Sequence, residues 1–171
     1  MNSSSKKKLY NIFFPIWILW LIPTTWLIVI PLNFILDFLV LFVSMKLIKI
    51  ENPFVNSKKS IFRVFISGFL ADFVSSALLI CLTILFSEVN SSSLVLENLF
   101  RNPFLSVKSF LIMMVFVVLA AILIYIFNYY VSFRKLNIES LEKKKLALSL
   151  AIFTAPYFFL LPTEMLYNIL S

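Results

Sequence analysis

The sequence predicts an all-α, polytopic transmembrane bundle of about five helices, on three observations. Apolar residues make up 61% of the 171 positions and charged residues only 13%, with a mean hydropathy of +1.00. Soluble domains run at roughly 45–50% apolar and about 25% charged. This much apolar surface needs lipid as its solvent. Secondly, the apolar residues fall into long runs separated by short polar connections. Thirdly, the basic residues gather in alternate connections, as the positive-inside rule requires of a membrane protein.

Residues 1–9 read as a basic cytoplasmic tail carrying Lys6, Lys7 and Lys8, and residues 10–171 as a single transmembrane domain. A basic tail before an apolar stretch is also the outline of a secretory signal. Here the stretch runs well past the usual ~7–15 residues with no small-x-small cleavage site, so an uncleaved first helix is expected.

That stretch extends from Leu9 to Ile50. As one helix it would measure on the order of 60 Å, twice a bilayer core, so it has to fold back. The expected turn is Ile30-Pro31-Leu32-Asn33, because Pro31 disfavours helix at Ile30 and Asn33 can cap a new start. The first two helices are then placed at 10–30 and 33–50 as a tight hairpin, either crossing fully or re-entrant. Lys46 and Lys49 close the second and can snorkel to the interface. The third span is expected at 61–86, the fourth at 109–132 and the fifth at 146–170, interrupted by Pro156 and Pro162. Between the third and fourth, Leu94–Phe100 has the pattern of a short interfacial helix.

Of the 15 basic residues, 13 lie in the tail, the second connection (Lys46, Lys49, Lys58, Lys59, Arg63) and the fourth (Arg134, Lys135, Lys143, Lys144, Lys145). With five spans all three segments fall on one side, leaving Arg101 and Lys108 on the other. The N-terminus is therefore expected in the cytoplasm and the C-terminus outside. Asn-Pro-Phe occurs at 52–54 and again at 102–104. Asn is a good helix cap and Pro a good first helical residue, so both copies read as helix starts rather than as a transporter's inverted repeat.

The third span carries a small and polar stripe: Gly68, Ala71, Asp72, Ser75 and Ser76 at spacings of three and four. Such faces mark helix–helix contacts or cavity walls. The fifth span has a matching stripe, Ala147, Ala151 and Ala155, with Thr154 beside it. Close packing of the third span on the fifth follows as an expectation. Asp72 falls near the bilayer midplane, where a carboxylate costs at least ~2.5–3.5 kcal/mol. Pro156 is expected at similar depth and leaves the Ile152 carbonyl without its usual donor. Asp72, Ser75, Ser76, Thr154 and Pro156 thus form a candidate intramembrane polar site. It would serve either as a packing seam or as a place to hold a cation or relay a proton. Asp37 and Glu164 are expected near the outer ends of their helices, as a candidate outer mouth. The aromatic residues at Tyr10, Trp26, Tyr125, Tyr129, Tyr130 and Tyr167 suit interfacial belts.

Enzyme chemistry is not expected. There is no histidine, a single cysteine (Cys81) and a single glycine (Gly68). That removes the commonest general base, a thiolate metal cluster and a glycine-rich phosphate loop. Neither aspartate has the glycine-containing context of an intramembrane aspartyl protease. No catalytic residue, cofactor or metal-ligand cluster is assigned. The net charge of +7 is attributed to anionic lipid headgroups and not to nucleic acid. Two functions are weighed. One is a small permease or membrane subunit of a transport system, with Asp72 lining a path. The other is a non-enzymatic immunity, sensory or assembly partner whose stripe is a seam. Self-association or a larger membrane complex is expected, and a bacterial plasma membrane is the expected location.

Overall fold

The structure is a computed structural model that describes residues 26–89 and 94–163. Among these residues it is all helical. The helices are α1 (Trp26–Leu47), α2 (Pro53–Val89), α3 (Leu94–Arg101), α4 (Val107–Phe127) and α5 (Ser140–Phe153). Five helices among the described residues fit the expected number. Among the described residues three segments are long and apolar enough to cross a membrane: Ile30–Leu47, Pro53–Phe86 and Val107–Ser132. The tail and most of the first expected span lie outside the described residues.

The turn expected at Pro31 does not form. Within the described residues α1 (Trp26–Leu47) runs straight through Pro31. Proline removes one N–H, whose partner would be the Leu27 carbonyl, and membrane helices tolerate that loss. The consequence is positional. Asp37 lies in the middle of α1 and not near an end.

α1 stops at a left-handed residue, Lys49, with φ 64°. The Lys49 N–H donates to the Lys46 carbonyl at 3.2 Å and the Ile50 N–H to the Met45 carbonyl at 3.0 Å. This is a Schellman cap, with the buried Ile50 as its apolar contact. α2 then starts at Pro53, eight residues earlier than expected. Proline at the first helical position and the Asn52 carbonyl, which accepts from the Asn56 N–H at 3.1 Å, nucleate it inside the polar loop. The second Asn-Pro-Phe opens a short 3-10 turn, with the Asn102 side chain accepting from the Phe104 N–H, before α4 begins at Val107. α3 is the expected short helix beside α4; its Leu99 is buried, and the Val95 carbonyl accepts from the Ser109 hydroxyl at 3.0 Å.

The fifth expected span is also redrawn. α5 starts at Ser140, opened by a capping box between Glu139 and Glu142, so the charged run 140–145 is helical and Glu139 and Glu142 do more than face water. It ends at Phe153, after 14 residues, or about 21 Å, short of a bilayer core. Pro156 has no N–H to extend it. The freed Ile152 carbonyl accepts from the Tyr157 hydroxyl at 2.6 Å. A 3-10 turn over Tyr157–Leu160 follows.

α2 is central, packed between α1 and α4, while α5 lies against α4 and α1. The expected close seam between α2 and α5 is therefore not a principal contact. The reason lies in the core. Ala71, Ala147 and Ala151 reach one cluster, but Leu41 and Met45 of α1 and Ile124 of α4 share it. A second cluster gathers Leu79, Leu99, Met113, Phe116, Val117 and Phe159. The two basic connections after α1 and before α5 meet in one cleft of about 910 Å³, lined by Lys49, Lys59, Lys135, Glu51 and Glu139 among others. They share one end of the bundle, as the charge pattern requires.

Candidate functional site

Two i, i+4 pairs face each other across α1 and α2. On α1 these are Asn33 and Asp37, and on α2 Gly68 and Asp72. A four-residue spacing puts both members of each pair on one face. Together with Leu36, Phe69 and Thr154 they line a small cavity of about 10 Å³. Thr154 arrives from the end of α5, where the break before Pro156 turns its side chain toward α1.

Both carboxyls are buried: Asp37 is 5% exposed and Asp72 3%. Asp72 Oδ1 has no hydrogen-bond partner among the described residues. That matters because a buried polar atom without a partner costs about 1–3 kcal/mol, and more when charged. The Thr154 hydroxyl donates to the Leu150 carbonyl at 2.8 Å, and Thr154 lines the cavity together with Asp37. At Gly68 the backbone of α2 passes near the Asp37 side chain. A β-carbon built there would lie 3.5 Å from Asp37 Oδ2.

Asp72 and Thr154 come together. Ser76 is buried but donates to the Asp72 carbonyl at 2.9 Å, within its own helix. Ser75 is buried with its hydroxyl unpartnered among the described residues, and it does not line the cavity. Pro156 is buried and acts only by ending α5. Asp37, expected at an outer mouth, lies within α1 and lines the same cavity as Asp72. Glu164 lies outside the described residues.

Asn33 is a lining residue outside the expected site, whereas Gly68 belongs to the expected stripe. The signal for Asn33 is its i, i+4 spacing to Asp37, which is invisible while Asn33 is taken as a helix cap. A second polar patch lies where α4 loosens into a π turn over Asn128–Ser132. There the Ser67 and Ser132 hydroxyls bond at 3.0 Å, and Asn128 donates to the Ile124 carbonyl at 2.8 Å. The Ser67–Ser132 bond ties α2 to the π turn that follows α4. Among the described residues no three His, Cys, Asp or Glu side chains come together.

Comparison with protein-family models, with curated proteins and with solved structures found no match to this chain. Its functional reading rests on the acid pair alone.

Proposed function

We propose that this protein is a small ion-linked permease, or the membrane subunit of a transport system, in a bacterial plasma membrane. The observation that carries the reading is the burial of Asp37 and Asp72 around one cavity in the middle of two membrane-length helices. Intramembrane acids are costly and are kept where they contact a transported or coupling species. The break at Thr154–Pro156 supports it, since interrupted helices beside a polar site are a recurrent transporter device. A non-enzymatic role is part of the proposal.

The competing reading is a partner protein whose polar face is only a seam. The Ser67–Ser132 bond between α2 and the π turn after α4 favours it locally, because those hydroxyls satisfy each other. Asp72→Asn separates the two. In vesicles containing the purified protein, with ion-sensitive dyes trapped inside, the permease reading expects flux to fall at least tenfold while the variant stays folded. Equal activity of parent and variant would leave the seam.

The proposal includes the orientation with both basic connections in the cytoplasm. Single cysteines at Ser140 and Lys108, in a Cys81→Ser background, test it in intact cells. Lys108 lies in the first turn of the membrane-length segment Val107–Ser132 and Ser140 beyond its other end, so an impermeant thiol reagent should label the Lys108→Cys chain only. Labelling of Ser140→Cys alone would reverse the orientation.

A further inference from the structure

We propose that the Asp37–Asp72 cavity is a binding site for one dehydrated divalent cation of the Ca²⁺ class. The inference deepens the permease reading and rests on the same cavity being a functional site.

Size sets the occupancy. A void of about 10 Å³ admits about one water-sized sphere. It takes one bare ion and not an organic solute.

Charge sets the valence. The lining holds two carboxyl groups and no lysine or arginine. Two carboxylates balance one divalent cation. In so dry a place, an unbalanced charge is expensive.

Ligand chemistry sets the class. The lining side chains bring only hard oxygens: the two carboxyls, the Asn33 amide and the Thr154 hydroxyl. Oxygen sets of this kind suit Ca²⁺, Mg²⁺ and Mn²⁺ and not the softer metals. Because the Thr154 hydroxyl hydrogen is directed to the Leu150 carbonyl, its lone pairs are free for an ion. Asp72 Oδ1, buried and unpartnered among the described residues, is the acceptor a cation would satisfy. Mg²⁺ gives up its waters reluctantly, whereas Ca²⁺ accepts irregular sets of carboxylate and amide oxygens. A cavity with no room for the ion's own waters therefore favours Ca²⁺.

Gly68 supplies the control. A methyl group at this position would meet Asp37 Oδ2 at 3.5 Å, an ordinary contact, and would occupy the wall of the cavity. Alanine is also the better helix former. Gly68→Ala should close the site with both carboxyls intact and the fold unharmed.

The test is equilibrium binding of radiolabelled Ca²⁺ to the full chain in detergent, paired with thermal unfolding at constant ionic strength in Ca²⁺, Mg²⁺, Na⁺, K⁺ or choline. One saturable Ca²⁺ per chain is expected, with a rise in Tm that choline, Na⁺ and K⁺ do not give. Affinity should fall at least tenfold in both Asp72→Asn and Gly68→Ala, with unfolding still cooperative. No saturable binding, a response to Na⁺ or Mg²⁺ but not to Ca²⁺, or unchanged affinity in both variants would overturn the proposal. Stoichiometric binding without flux in vesicles would refute the permease reading alone. Flux without binding would refute the site alone.

Discussion

The Asp37→Asn, Asp72→Asn double variant should be at least as stable as the parent chain and completely inactive. A carboxylate at the centre of a membrane helix costs about 2.5–3.5 kcal/mol on insertion scales. Replacing buried charged groups by neutral ones of similar shape is often neutral or stabilising, by about 1–4 kcal/mol. Asparagine keeps the volume and one oxygen of each aspartate, and the Thr154 hydroxyl keeps its own bond to Leu150. Packing around Ala71, Gly68 and Leu41 is unchanged. An increase on the order of 1–2 kcal/mol in cation-free detergent is therefore expected, together with loss of flux. The measurement is reversible unfolding in mixed micelles beside the vesicle assay. If both acids served only as a seam, the double variant would lose stability and keep whatever activity its folded fraction has. Sites that hold strain for function are where stability and activity separate in this way.

The second large effect is structural and lies away from the acids. Phe133 is fully buried, at 0% exposure, although it sits in a connection between Ser132 and two exposed basic residues, Arg134 and Lys135. Its N–H donates to the Asn128 carbonyl at 3.0 Å, and its own carbonyl accepts from the Leu136 N–H at 3.2 Å. The ring fills the cluster that joins Leu41, Met45, Val64, Leu146 and Leu150. It thereby holds α1, α2 and α5 together at the basic end. Phe133→Ala should lower stability by about 3–5 kcal/mol, the usual range for emptying a buried aromatic site. Phe104→Ala is the control. Phe104 is 60% exposed, and its removal should stay within about 0.5 kcal/mol of neutral. Both are read by unfolding in mixed micelles.

The all-helical class, the central polar face of α2 and the shared end of the two described basic connections were legible because each rests on a run or a count. Boundaries were less so. Pro31 reads as a stop, but one missing N–H is a small loss against the packing of α1 on α2. Reading it as a stop moved Asp37 from mid-helix to an interface and turned Asn33 into a cap. That hid the Asn33–Asp37 pair, half of the site. Local signals at Pro53 and at Glu139–Glu142 were present in the sequence, but the charged residues around them suggested loops. The pairing of α2 with α4 could not be read at all. It depends on Ser67 and Ser132, which are 65 residues apart, and small residues on three helices match equally well in any pairing.

The central claim is that Asp37 and Asp72 face each other across one cavity. Paired cysteines test it most directly: Asp37→Cys with Asp72→Cys, in a Cys81→Ser background and in native membranes. The probe is a short bifunctional thiol reagent that fluoresces only when both ends have reacted. Leu39→Cys with Asp72→Cys is the comparison, since Leu39 is 51% exposed on another face of α1. The account predicts a strong signal from the 37–72 pair and little from the 39–72 pair. Equal signals, or a stronger one from the 39–72 pair, would contradict it.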